Sequence, residues 1–273
     1  MTSVHSSIDD RGVATITIDN PPINLMTVEV MVGLLEAGAA MANDPAARVV
    51  LLRSAVPGWF IAHFDVEAIL RIPTDAPATD ELNPFDQMCE TFRTMAKPTI
   101  AVIAGRVGGG GSELSLACDM RFAGPDAVFN QPEVALGIIP GGGGTVRLPR
   151  LMGRSRALEV VLGCDDHDAA TAERYGWVNR VVDDVDPFVD RLAGRIASFP
   201  PRAVAAAKRS VLGAEGSLPA SLAAESVAFN GLLGDDVTRT AMERFLARGG
   251  QTEEGERRLG DLAAEIAAST TED

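Results

Sequence analysis

Short apolar strand runs separated by helix-compatible segments, followed by a tail with no strand pattern, predict an α/β layered core with a mainly helical C-terminal region. Residues 13–18 (V-A-T-I-T-I) alternate as a half-buried strand does. Val49–Leu52 and Thr99–Ala104 are instead continuously apolar, as strands buried on both faces of a parallel sheet are. From Pro187 onward the chain has helical texture, interrupted at Pro200-Pro201, Gly213–Leu218 and Gly249-Gly250. The composition shift near residue 200 places the expected boundary between a core at 1–200 and a helical region at 201–273.

In chain order, Asn20-Pro21-Pro22 ends the first strand run, and Thr27 is the candidate cap of a helix reaching about Met41. Asn43-Asp44-Pro45 stops that helix. After Val49–Leu52, a turn at Pro57-Gly58 leads into W-F-I-A-H-F-D at 59–65. Residues 73–84, rich in Pro, Thr and Asp, read as a surface loop. Helical spacing over Phe85–Met95 ends at Lys97-Pro98. Further on, Ser155 is the candidate cap of a helix to Leu162, Ala169–Tyr175 reads as another helix, and Val178–Val182 is the last strand. Leu232, Leu233, Met242, Phe245 and Leu246 mark apolar helical faces that bury either in the chain's own core or against a neighbouring subunit.

A chain of 273 residues with 46% hydrophobic and 23% charged residues has the composition of an ordinary globular enzyme. A net charge of −14 and only 5% aromatic residues argue against nucleic acid as a partner. The first residues lack the basic and apolar regions of a signal peptide, and no apolar run reaches the ~18–20 residues of a membrane span. Cys89, Cys118 and Cys164 show no C-x-x-C spacing and no clustered His, which points to a reducing, cytoplasmic setting and no metal site.

The chemistry is concentrated between Gly105 and Arg147. Two four-glycine runs, Gly108–Gly111 and Gly141–Gly144, bracket Glu113 and Glu133, and each leads into a helix-compatible segment. Neither run is followed by Gly-Lys, as a phosphate loop requires, and neither fits G-x-G-x-x-G. Backbone N–H groups at a glycine-rich helix start suit an oxyanion instead, and two carboxylates suit proton transfer if the loops converge. In the competing reading Glu113 merely complements a helix dipole and Glu133 is exposed.

At these residues the chain resembles the crotonase (enoyl-CoA hydratase/isomerase) superfamily. The resemblance is carried by K-P-T-I-A-V-I-A-G at 97–105, G-G-G-S-E-L at 109–114, A-C-D at 117–119, and Q-P-E at 131–133 through I-P-G at 139–141. Gly143-Gly144-Thr145, Arg147-Leu148 and the Gly176–Val182 strand continue it. It covers roughly residues 10–200 well and the C-terminal helices only in general character. It implies a spiral of ββα units, a C-terminal region that drives trimer or dimer-of-trimers assembly, and an acyl-CoA thioester substrate, with coenzyme A as part of the substrate and no separate cofactor.

By position the resemblance assigns the oxyanion-hole N–H groups to Phe64 and Gly110, the base to Glu113, the acid to Glu133, and water positioning to Gly141. With both glutamates present, the implied reaction is hydration of a 2-enoyl-CoA. Isomerisation, decarboxylation or C–C hydrolysis on the same scaffold, or acyl-CoA binding without turnover, are the alternatives. One departure stands out: Ala62-His63 replaces the usual Ala-Gly before the first oxyanion residue. His63 is then either a packing or surface residue, or a group that contacts substrate or moves protons. Phe64 either narrows the acyl pocket or packs. Lys208, Arg209 and Arg147 are candidates for the CoA phosphates, with ordinary solvated surface residues as the competing reading.

Overall fold

The structure is a computed structural model that describes residues 3–73, 81–213 and 218–268. Most of the expected loop at 73–84 therefore lies outside the described residues. The chain opens with β1 (Val4–Ile8) and β2 (Val13–Ile18), an antiparallel pair. The sequence reading anticipated only β2, because V-H-S-S-I carries too few apolar residues to announce a strand. Helix α1 (Val28–Asn43) follows, capped by the Thr27 hydroxyl, which accepts the Val30 N–H as expected.

From there each unit places one strand in each of two sheets before returning through a helix. β3 (Val49–Ser54) and β4 (Trp59–Ile61) precede α2 (Val66–Ile69) and α3 (Pro84–Thr94). β5 (Thr99–Ile103) and β6 (Arg106–Gly108) lead directly into α4 (Gly109–Ala117). β7 (Met120–Ala123) and β8 (Val128–Asn130) precede a 3-10 turn at Glu133–Leu136, then α5 (Gly144–Met152) and α6 (Arg154–Gly163). The last unit is β9 (His167–Asp168), α7 (Ala169–Tyr175) and β10 (Arg180–Val181). The order β1-β2-β3-β5-β7-β10 forms one sheet and β4-β6-β8-β9 the other. This is the spiral of ββα units that the resemblance implies. Ser155 lies inside α6, whose cap is Gly153, so that boundary is corrected by two residues.

Residue chemistry explains the crossings between sheets. β5 is buried along its whole length, as a central strand covered on both faces must be. Immediately after it, a Cβ on Gly105 would fall 2.1 Å from the Gly58 carbonyl carbon. Only glycine lets the chain step from one sheet to the other there.

The C-terminal segment comprises α8 (Val185–Ala197), α9 (Pro201–Gly213), α10 (Leu218–Leu233), α11 (Asp236–Ala247), α12 (Glu253–Arg257) and α13 (Leu259–Ala268). Leu233, Met242, Phe245, Leu259 and Ile266 share one apolar cluster with Val66, Ile69, Leu136 and Ile138. The apolar faces at Leu233, Met242 and Phe245 are thus buried within the chain. They press on the two short elements, α2 and the 3-10 turn, that flank the glycine loops. No helix among the described residues is long and apolar enough to cross a membrane.

Candidate active site

The two glycine loops converge. Glu113, Glu133, Phe64, Gly110, Gly141 and His63, drawn from four separate segments, all line one cavity of about 430 Å³. Its remaining wall is largely apolar, with Phe85, Ile69, Ile72, Phe229 and Phe245 prominent.

Glu113 sits in the second turn of α4, a helix buried on every side. Its Oε1 accepts the N–H groups of Gly142 at 2.9 Å and Gly144 at 2.8 Å. These lie at the start of α5, where N–H groups have no intrahelical partner and the dipole favours negative charge. Burial pushes the Glu113 carboxyl up to about 7, against the lowering pull of those two N–H groups; Asp86 raises it further and Arg147 lowers it. The reading in which Glu113 only complements the dipole of its own helix is set aside, because its partners belong to another loop.

Glu133 begins the 3-10 turn and is buried, not exposed. The Gln131 side-chain amide donates to both its oxygens, at 3.2 and 3.1 Å. Burial, and then the negative charge of Glu113, hold its carboxyl well above the ordinary range. A Cβ on Gly109 would lie 3.0 Å from Glu133 Oε1 and 3.0 Å from the His63 Cβ, so this glycine is what lets the carboxylate and the 62–65 segment meet. Two close acids with separated environments can divide the roles of proton acceptor and proton donor.

Phe64 and Gly110 are neighbours. Met26 N–H donates to His63 O and Asp65 N–H to Met26 O, a parallel bridge that leaves the Phe64 N–H on its other side. A Cβ built on Gly110 would be 3.4 Å from the Phe64 nitrogen. Gly110 is the second residue of α4, where the N–H has no acceptor within the helix. Phe64 and Gly110 thus line the same cavity as the two carboxylates. Gly141 has a packing reason to be glycine: its Cβ would lie 2.5 Å from the Phe229 ring.

His63 is buried rather than on the surface. Its Nδ1 lies 2.8 Å from Phe64 O and its Nε2 lies 2.8 Å from Oε1 of Glu256 on α12. With Glu256 ionised both ring nitrogens face acceptors, an arrangement that favours the imidazolium over the neutral ring. Burial by itself would lower its pKa, but the Glu256 charge and hydrogen bond, the Phe64 carbonyl and Asp65 together raise it above the ordinary 6.5. Beside it, Gln251 accepts the Val66 N–H at 2.5 Å and donates to Asp65 Oδ1 at 3.0 Å. The C-terminal region thus clamps the segment that carries the Phe64 N–H.

Because the folded pKa of His63 is raised, the stability this pair contributes is complete below about pH 6.5 and is lost as pH rises through the folded value. Glu256→Gln is expected to cost about 3 kcal/mol at low pH, since it leaves a buried imidazolium unpaired. The gap from wild type should narrow with rising pH when both are unfolded in urea. A gap that widens with pH contradicts the charged pair.

The expected phosphate contacts change. Arg147 is buried and donates to Gly142 O at 2.8 Å and to Glu90 at 3.0 Å, so it braces the second glycine loop. Lys208 pairs with Asp119 at 2.7 Å and donates to Lys97 O. Arg209 is exposed. Cys118 is a buried thiol pushed up to about 12 by burial, which disfavours the reactive thiolate.

Gln131, Asp86 and Glu225 join the site without having been marked as site residues by the sequence. Asp86, buried on α3 with Asn83 and Ser226 as partners, is raised to about 6 by burial. Glu225, on α10, is raised to about 8 by burial and then by Glu113. A signal for it existed: Leu222, Glu225 and Phe229 share one helical face, an acid in an apolar stripe.

A family model described as enoyl-CoA hydratase/isomerase matches residues 9–253. A curated relative, the crotonyl-CoA hydratase of Syntrophomonas wolfei, is 32% identical over 244 residues, which are 88% of this chain and 93% of that protein. The crystal structure of a provisionally named enoyl-CoA hydratase from Streptomyces avermitilis is 38% identical and superposes with a TM-score of 0.88, covering 97% of this chain and 98% of that one. An enoyl-CoA hydratase from Bacillus halodurans, 25% identical, superposes with a TM-score of 0.80 over 88% of this chain and 99% of that one.

Proposed function

The chain belongs to the enoyl-CoA hydratase/isomerase family, and we propose that within it this protein hydrates a 2-enoyl-CoA to a 3-hydroxyacyl-CoA. The carrying observation is the pair of buried glutamates on converging loops, one held by the Gly142 and Gly144 N–H groups and the other by the Gln131 side-chain amide.

The N–H groups of Phe64 and Gly110 bind the thioester oxygen, and the apolar wall takes the acyl chain. Glu113 in its ionised form, which the Gly142 and Gly144 N–H groups stabilise, removes a proton from water as the water oxygen bonds to C3. The C2=C3 electron pair moves through the thioester to its oxygen, where the two N–H groups stabilise the enolate. Glu133, kept protonated by burial and by its charged neighbour, delivers its proton to C2. Glu113 ends protonated and Glu133 ionised, and one proton passing from the first to the second resets the site. Isomerisation would need only Glu133 and would take up no water. Assembly as a trimer or dimer of trimers belongs to the same proposal; the exposed Leu158 and Leu162 of α6 supply apolar surface for it, and a monomer in sedimentation equilibrium would remove it.

A pH profile tests the division of roles. Activity should rise as pH rises through about 7, where Glu113 ionises, and fall again as Glu133 loses its proton at a value well above that of an ordinary carboxyl. A profile of kcat/KM that is flat between about pH 5 and about pH 9 contradicts the assignment.

A further inference from the structure

The proposed reaction leaves Glu225 without a role, although it is buried beside the second glycine loop. An ionisable group on an apolar helix face must find partners, and Glu225 finds all of them in that loop. Its Oε2 accepts the Gly143 N–H at 2.5 Å, and its Oε1 accepts the Thr145 N–H at 3.0 Å and the Thr145 hydroxyl. Glu113 takes the N–H groups of Gly142 and Gly144. Four successive N–H groups are thus dealt alternately to two carboxylates.

The alternation has a backbone cause. Gly143 has φ of +104°, a left-handed conformation that turns its N–H away from those on either side. Arg147 fills the space a side chain would need, with Nη1 only 1.7 Å from where a Gly143 Cβ would stand. The loop cannot rotate one N–H without moving its neighbours, so whatever holds Gly143 and Thr145 also sets Gly142 and Gly144. The charged groups facing this arrangement are Glu113 on α4, Glu133 in the 3-10 turn, Asp86 on α3 and Arg147 on α5.

We propose that Glu225 is a positioning residue of the active site: by holding the Gly143 and Thr145 N–H groups it fixes the loop in the register that delivers the Gly142 and Gly144 N–H groups to Glu113. The helical C-terminal region thereby orients the base. This rests on the reading of Glu113 as the base. A carboxyl rather than an amide suits the position, because each of its two oxygens accepts a loop N–H and an amide has only one acceptor oxygen.

The test uses the full chain with Glu225→Gln and Thr145→Val, measuring kcat and KM on crotonyl-CoA and solving a crystal structure of each variant. Glu225→Gln turns an amide NH2 toward donors, and is expected to lower kcat roughly 10- to 100-fold, the scale of a misplaced catalytic group, with KM within about threefold. Thr145→Val removes one hydroxyl donor and should lower kcat in the same direction by less. If Glu225→Gln fails to fold, Thr145→Val decides. In the crystals the Glu113 contacts to Gly142 and Gly144 should lengthen beyond hydrogen-bond distance in Glu225→Gln. An unchanged kcat, or a lower kcat with those contacts intact, overturns the proposal. Full activity in Glu113→Gln, with the loop still displaced in Glu225→Gln, would instead sink the base assignment and leave the positioning role standing.

Discussion

Glu113→Gln and Glu133→Gln are each expected to lower kcat for 2-enoyl-CoA hydration by about 10³-fold or more, with the double variant falling little further. The two residues act on one water and one carbon–carbon bond, so losing either leaves the other without a task. At position 113 the amide oxygen can still accept both N–H groups, as Oε1 does in the carboxylate, but the amide cannot take a proton from water. At position 133 the amide meets the Gln131 NH2, which now donates to both carboxylate oxygens. Purified variants assayed by loss of the conjugated-thioester absorbance decide this. Additive losses in the double variant would mean that the glutamates do not work as a unit.

Gly110→Pro should lower kcat about 10²- to 10³-fold, the usual consequence of deleting one oxyanion donor. Proline is tolerated in the first turn of a helix, where the N–H has no intrahelical partner, so α4 can still form. The ring also adds atoms where a Cβ already stands 3.1 Å from the Phe64 Cβ and 3.2 Å from the Phe85 ring. Gly110→Ala is the necessary control, since it adds the crowding and keeps the N–H. A proline variant as active as the alanine variant would mean that the Gly110 N–H does not bind the thioester oxygen.

The parts of the site that glycine and sequence order encode were legible from the chain alone. A Gly109 with φ of +44°, or a Gly142 whose Cβ would lie 2.2 Å from the Phe85 ring, has no substitute, so the glycine runs themselves announce a crowded site. The parallel core strands were legible because they are continuously apolar. β6 and β8 are only three residues each and are held by backbone pairing, which leaves no periodicity to read. What remained hidden is the reach of the C-terminal region into the site. Glu225 meets Gly143 across 82 positions and Glu256 meets His63 across 193, and no local pattern records such a pairing. Arg147 shows the reverse: a positive residue suggests a phosphate, whereas the fold uses it to tie the glycine loop to Glu90.

His63 gains a role from the same geometry. Where the resemblance leads one to expect glycine, this chain has a histidine locked between Phe64 O and Glu256. That arrangement ties the 62–65 segment to the C-terminal region, as the Glu225 contacts tie the second glycine loop to it. Two acids from the helical tail thus reach the two loops on which the proposed chemistry depends.

The most direct test of hydration is to incubate the protein with crotonyl-CoA in ¹⁸O-labelled water and weigh the product by mass spectrometry. The account predicts a product heavier by one molecule of labelled water, with the label in the 3-hydroxyl group and none in the recovered substrate's thioester carbonyl. Loss of the conjugated-thioester absorbance with no gain in mass, or no turnover on either short or long 2-enoyl-CoAs, would contradict it.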